Sequence, residues 1–256
     1  MTRAVIAEDE ALLREALVDA LAKAWPDLQI VAACEDGASA LEAIAEQRPD
    51  VAFLDIRMPG LTGLEVASAA LDASPDTQIV FVTAYDQYAV DAFETGAIDY
   101  LLKPVASDRL ERTVQRVKER IASGAGADAA LAPLLAKLVA SMPKSTPAEP
   151  AKWLTASAGS TTRMILVDDV LYFRADNKYT VVVTAKGDAL LRKPIKDLLE
   201  VLDPNEFKPI HRSTIVNLRA IDSIVRDDTG RGTLKLRDRA ETLTVSQAFM
   251  GLFRSQ

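Results

Sequence analysis

Three carboxylates stand where short apolar runs stop: Glu8 and Asp9 after Arg3 to Ala7, and Asp55 after Val51 to Leu54. Thr83 and the pair Lys103-Pro104 close two later runs in the same way. In an open parallel α/β sheet, ligands bind outside the carboxyl ends of the strands, so residues distant in sequence can share one pocket there. Gathered in that pocket, the acids would bind a hard divalent cation through oxygen and leave one carboxylate as a nucleophile. A lysine and a hydroxyl beside it would hold the oxygens of a phosphoryl group. Each residue also has a plainer use. Acids and hydroxyls ahead of helices serve as caps or complement the helix dipole. Lys103 alone would be a solvated surface lysine, and Tyr100 a strand aromatic in the core. The joint order, acid pair, acid, hydroxyl, aromatic, lysine-proline, each at a strand end, exceeds what capping preferences produce.

The elements needed to position these residues are legible in the apolar pattern. Short apolar strands are expected at about 3–7, 30–34, 51–54, 79–82 and 98–102, as in a parallel sheet covered on both faces. Segments at about 10–24, 37–47, 64–73, 86–95 and 107–121 carry the 3.6-residue apolar period of helices, which gives a fivefold β-α alternation. Pro59-Gly60 and Gly63 break the chain just after Asp55, so Asp55 sits beside an accessible loop.

With these residues in that order, Arg3 to Ile121 resembles the receiver domain of two-component response regulators, an α/β doubly wound, flavodoxin-like five-stranded fold. The stretch from Thr83 to Pro104 carries the resemblance most, because it sets hydroxyl, helix, aromatic and lysine in sequence. The resemblance implies that Asp55 accepts a phosphoryl group from a sensor histidine kinase. It implies that Glu8, Asp9 and Asp55 bind Mg²⁺, with Arg57 adding a backbone carbonyl. Lys103 and Thr83 would hold the phosphoryl oxygens, and Tyr100 would change its packing when the Thr83 bond forms. Glu8 stands where many relatives have Asp; such receivers still bind magnesium.

A length of 256 residues suggests about two domains. An apolar fraction of 49% and a charged fraction of 26% are ordinary for a globular protein. There is no apolar run long enough to span a bilayer, and the N-terminus leads straight into a strand, so neither a membrane segment nor a signal peptide is expected and the protein is expected to be cytoplasmic. The single cysteine, Cys34, falls in an apolar strand and reads as a buried structural thiol. With one histidine, His211, it gives no zinc site and no disulfide framework. The net charge of −7 conceals an asymmetry: residues 1–121 carry 11 Lys+Arg against 22 Asp+Glu, and residues 151–256 carry 17 against 13. The acidic half suits a cation and phosphoryl site, and the basic half a polyanionic partner.

Residues 122–150, rich in Ala and Gly and holding Pro133, Pro143, Pro147 and Pro150, read as a flexible linker between domains at 1–121 and 151–256. Leucines at helical spacing within 127–141 would at most form a short amphipathic helix. The second half is a mostly β domain. Short β-branched segments are expected at 165–167, 170–174, 180–184, 189–193, 215–217, 221–226, 232–236 and 241–245, with one helix at about 194–202. No helix-turn-helix pattern occurs there. It also lacks a metal-ligand cluster and a glycine-rich phosphate loop, so an enzyme is not expected.

Asp168 to Tyr179, Leu191 to Leu198 and Phe207 to Asn217, above all the run His211-Arg-Ser-Thr-Ile-Val-Asn217, resemble the LytTR DNA-binding domain over about Trp153 to Arg254. That family reads successive major grooves through loops. Its contacts map here onto Asn177, Lys178 and Tyr179, onto His211, Arg212 and Ser213, and onto the region of Ser246 and Gln247. Many relatives have a basic residue where Gln247 stands. Arg212 can pair with guanine, Asn177 or Gln247 with adenine, and Lys178 and Ser213 with phosphate. Asn217 is expected to fix backbone rather than touch DNA, and Ser246 can instead cap the final helix. Together the two resemblances imply a regulator of transcription that forms a homodimer on phosphorylation, through the face of the 86–95 helix, the 98–102 strand and the 107–121 helix, and binds paired promoter sites. The competing reading is a phosphorylation-controlled protein whose β domain binds a protein partner.

Overall fold

The computed structural model describes residues 1–84, 99–123, 150–158, 161–176, 179–227 and 230–253. The chain divides into two compact units, Met1–Pro143 and Lys144–Gln256. The first contains β1 (Arg3–Ala7), α1 (Ala11–Ala24), β2 (Gln29–Cys34), α2 (Gly37–Gln47), β3 (Val51–Asp55), α3 (Gly63–Ala73), β4 (Gln78–Thr83), β5 (Asp99–Leu102) and α4 (Ser107–Ser123). Its strands form one parallel sheet in the order β2-β1-β3-β4-β5, the flavodoxin-like arrangement in which the winding direction reverses between β1 and β3. The helix expected over 86–95 lies outside the described residues.

Local signals explain the element ends. The Asp36 side chain accepts from the Ser39 amide and starts α2. Thr62 and Glu65 form a reciprocal capping box at the start of α3, so the helix begins eight positions after Asp55. β3 and β4 are buried along their whole lengths because helices cover both faces. One core layer joins Ile6, Phe53, Val80, Val82 and Leu101 of the sheet to Leu17 and Leu21 of α1, to Trp25 just past its end, and to Leu110, Val114 and Val117 of α4. Cys34 is buried and without a disulfide, and that burial pushes its thiol pKa up to about 11, as suits a structural thiol.

The second unit contains β6 (Trp153–Ala158), β7 (Thr161–Leu166), β8 (Val170–Asp176), β9 (Tyr179–Thr184), β10 (Gly187–Leu191), a short helix α5 (Ile195–Leu199), β11 (Phe207–His211), β12 (Thr214–Asn217), β13 (Ile221–Arg226), β14 (Gly232–Leu236) and β15 (Thr242–Val245). They form a seven-stranded sheet, β11-β12-β8-β9-β10-β6-β7, and a three-stranded sheet, β13-β14-β15, with antiparallel pairing throughout. Leu154, Val170, Phe173, Val182, Leu191, Leu198, Phe207 and Ile215 share a core, with the Phe173 and Phe207 rings 5.8 Å apart. β6 and β11 were not expected from the sequence. β11 carries Pro209, which argues against a central strand, and it is indeed an edge strand, where the missing amide proton costs no ladder bond. The helix expected over 194–202 is confined to Ile195–Leu199, because the Val201 amide bonds the Leu198 carbonyl in a tighter turn. Of the expected linker, 124–149 lies outside the described residues, and so does the whole of the short helix considered there.

Candidate phosphoryl site and nucleic-acid edge

The carboxyl ends of β1, β3, β4 and β5 bring the expected residues of the first unit to one edge. Asp55 ends β3, Thr83 ends β4 and is fully buried, and Lys103 directly follows β5 and donates its amide to the Thr83 carbonyl at 2.7 Å. The Lys103-Pro104 peptide is cis. Lys103 Nζ lies 2.6 Å from Glu8 Oε2 and 2.7 Å from Asp55 Oδ2, so a single ammonium bridges two acids. One oxygen from each of Glu8, Asp9 and Asp55 falls within 4.8 Å of the others. Three hard oxygen donors at that spacing fit a divalent cation with octahedral oxygen preferences. Asp55 Oδ1 also accepts the Arg57 amide at 3.3 Å, which orients the carboxylate toward the loop.

Burial dominates the ionisation of this cluster. It pushes the pKa of both Glu8 and Asp55 above the usual carboxylate range, while hydrogen bonds from Lys103 pull the other way. Burial alone would lower the Lys103 pKa, but the bonds and charges of Asp55 and Glu8 outweigh it and leave it raised. The protein thus holds a desolvated carboxylate beside a cation, a state that another cation or an incoming anion can rearrange.

Several positioning groups have no signature in the sequence. Arg14 of α1 donates to the Glu8 carbonyl at 2.6 Å and braces the loop that carries the acid pair. A Cβ on Gly63 would overlap the Asp55 carbonyl oxygen, so the start of α3 packs directly on the Asp55 backbone. Tyr100 is half-buried on β5. The Arg109 guanidinium sits 5.2 Å from its ring centroid, bonds its carbonyl at 3.0 Å and pairs with Asp99.

In the second unit the residues expected at DNA gather at one end of the seven-stranded sheet. Asp176 pairs with Tyr179 across the β8–β9 hairpin, and Tyr179 is exposed; Asn177 and Lys178 lie outside the described residues. Thr214 pairs with Arg174, and the Ala175 amide donates to the Ser213 carbonyl at 2.8 Å, which sets the β11–β12 turn beside that hairpin. The Ser246 amide donates to the Ile210 carbonyl at 3.1 Å and brings exposed Gln247 to the same rim. Three segments separated by up to 70 positions therefore share one edge. Arg212 is exposed at the two-residue tip of the β11–β12 turn. Neither Arg212 nor Ser213 has positive φ, so the turn is not one of the mirror-image types that suit hairpins best. His211 compensates: Nδ1 accepts the Ser213 amide at 3.2 Å and lies 2.7 Å from Ser213 Oγ. A neutral ring accepting at Nδ1 carries its proton on Nε2.

Asn217 is buried and spends its side chain on backbone, donating to the Val170 carbonyl at 2.9 Å and accepting the Arg219 amide at 2.9 Å, as expected. Ser246 Oγ has no hydrogen-bond partner among the described residues, so the cap expected from it is not formed; the final helix over Gln247–Phe253 is a 3₁₀ helix begun by the Phe249 amide on the Ser246 carbonyl.

Comparison with known proteins agrees with this division. Residues 4–115 match the response regulator receiver domain, and residues 160–256 match the LytTr DNA-binding domain. Over 98% of its length the chain is 42% identical to an uncharacterized response regulatory protein of Vibrio cholerae, covering 97% of that protein. The chain belongs to the LytTR-type response regulators. This response regulator is also 32% identical to the transcriptional regulatory protein BtsR of Salmonella typhi, over 98% of the chain and 96% of that protein. It is 31% identical to the positive alginate biosynthesis regulatory protein of Pseudomonas aeruginosa, over 95% of the chain and 94% of that protein. Its receiver and DNA-binding domains are those of a regulator, not of an enzyme. Among the described residues no helix is long and apolar enough to cross a membrane.

Proposed function

We propose that this response regulator accepts a phosphoryl group on Asp55 from a sensor histidine kinase and that the modification controls sequence-specific DNA binding and transcription. The observation that carries the reading is the Lys103 bridge between Glu8 and Asp55 at the carboxyl edge of the sheet. In attack on phosphorus, an Asp55 carboxylate oxygen forms the new P–O bond and the donor's leaving group departs. Glu8, Asp9 and Asp55, with the Arg57 carbonyl, would hold Mg²⁺, which supplies charge neutralisation when bound. Lys103 then moves from carboxylate to phosphoryl oxygen, and the Thr83 hydroxyl donates to another. The added charge biases a two-state loop, and Tyr100, now held beneath Arg109, repacks.

The domains proposed are a receiver over 1–121, a flexible linker over 122–150 and a DNA-binding domain over 151–256, in a cytoplasmic protein. Phosphorylation favours a homodimer through the face of the expected 86–95 helix, β5 and α4 of the receiver. Two tethered DNA-binding domains then engage paired sites with higher affinity by effective concentration. Arg212 reads a base edge, Lys178 and Ser213 contact phosphate, and Asn177, Tyr179 and Gln247 complete the edge. His211 belongs to this edge through the turn that it closes. The competing reading, a protein partner for the β domain, draws on exposed Trp153, Met164, Leu166 and Leu190, whose registers put them on one face of β6, β7 and β10. The match to a DNA-binding domain favours the first reading.

A small-molecule phosphodonor with Mg²⁺ tests the chemistry. Mass spectrometry should place the label on Asp55 and find none in Asp55→Asn; a label elsewhere, or none with magnesium present, would sink the assignment.

A further inference from the structure

The rim that gathers the expected DNA-contacting segments has one more cation beside it. β14 and β15 pair antiparallel with Gly232 opposite Val245, so the next residues outward are Arg231 and Ser246. Ser246 is the residue whose amide bonds Ile210, next to the His211–Ser213 turn. Arg231 is therefore placed, by strand register, at the same edge as Arg212. Its backbone is fixed: the amide donates to Asp227 Oδ1 at 2.9 Å and the carbonyl accepts the Asp227 amide at 2.9 Å. Both of these bonds use Arg231 backbone atoms and leave its side chain out. It is exposed, and among the described residues no carboxylate pairs with it.

The neighbouring contact explains why a cation here matters. Gly230 has φ +80°, and a Cβ on it would come within 3.3 Å of Gln247 Nε2, so the Gln247 amide lies against the turn that presents Arg231. Gln247 can hydrogen-bond but brings no charge to a polyanion. The adjacent guanidinium can, with a planar fork suited to phosphate oxygens.

We propose that Arg231 is a DNA-phosphate contact that extends the edge beyond Gln247 and supplies the charge Gln247 lacks. The proposal rests on the DNA-binding reading of the second unit. The test uses the full chain and a fluorescent duplex that the wild-type chain selects from a randomised pool, with affinity followed by anisotropy over a salt series. Removing one phosphate contact should lower the slope of log K against log salt by about 0.9, which is a loss of about eightfold at 0.1 M relative to 1 M salt. Arg231→Gln should show that loss on both selected and scrambled duplexes, and Arg231→Lys should keep most of the slope. Arg237→Gln is the charge-matched control. It lies about 20 Å away at the other end of β14, six residues along a strand, and should change neither quantity. An unchanged slope for Arg231→Gln, or an equal change for Arg237→Gln, would overturn this proposal alone. A wild-type chain that selects and binds no duplex would overturn the DNA-binding reading, and the proposal with it.

Discussion

Replacing Lys103 by Met removes the ammonium that stands 2.6 Å from Glu8 and 2.7 Å from Asp55. The side chains concerned are only 12%, 1% and 10% exposed, so water cannot take the lysine's place cheaply. Stripping one partner from a buried ion pair costs about 3–5 kcal/mol, because the charge left behind is uncompensated. Here two like charges are left, and proton uptake offsets part of the cost. The sign follows from linkage. Glu8 and Asp55 already have folded pKa values above their reference values of 4.5 and 3.8, so their contribution to stability is full below that range and is lost as pH rises through the folded values. Without Lys103, which pulls both down, the loss extends to higher pH and grows. The raised Lys103 pKa makes the wild-type bridge persist until pH passes above 10.5. The two tryptophans provide the assay. Trp25 is 3% exposed in the receiver core and Trp153 is 52% exposed in the other unit, so a Trp153→Phe background isolates the receiver in urea titrations. With a slope of about 2 kcal/mol per M, the Lys103→Met midpoint should fall by about 1–3 M at pH 7. The gap should narrow at pH 4. Equal midpoints at pH 7, or a gap that widens on acidification, would refute the reasoning.

Three further outcomes are expected. Gly63→Ala forces a methyl against the Asp55 carbonyl oxygen and should cost about 1–3 kcal/mol while slowing Asp55 labelling; equal stability and labelling rate would show that the loop yields. Asn217→Ala leaves the buried Val170 carbonyl and the Arg219 amide without their partner and should cost about 2 kcal/mol or more by denaturant titration, where a change within 0.5 kcal/mol would remove its structural role. His211→Ala should weaken binding to a selected duplex by about 0.5–1.5 kcal/mol as the turn bearing Arg212 loosens. His211→Asn should retain most of it, since an Asn side chain can also accept an amide two residues on; equal losses for both would mean that the ring acts other than through Nδ1.

Much of the receiver could be read in advance because its signals are local and agree with one another. Uninterrupted apolar runs marked β1, β3 and β4, and acids or hydroxyls at their ends marked the site. The reach of long side chains could not be read. Nothing in the spacing says that Lys103 rests on Glu8 as well as Asp55, or that Arg109 covers Tyr100, because those partners are chosen by packing. The β domain was harder for the same reason. β6 alternates correctly, with Leu154 and Ala156 buried between exposed neighbours, but its inner residues are too small and too few to mark a strand. Pro209 concealed an edge strand, and the His211 lock depends on an amide two residues away that composition cannot show. The gathering of Tyr179, Arg212 and Gln247 at one rim follows from the order of β8, β9, β11 and β12 and from the Ser246–Ile210 bond, which are tertiary facts.

The central claim is that chemistry at Asp55 governs DNA binding. The direct measurement is the affinity of the full chain for a duplex selected by it, before and after treatment with a small-molecule phosphodonor and Mg²⁺, in wild type and in Asp55→Asn. The account predicts a rise of about tenfold or more in wild type, from pairing of tethered domains, and no change in Asp55→Asn. A wild-type affinity that stays constant while Asp55 is fully labelled, or an equal rise in Asp55→Asn, would contradict it.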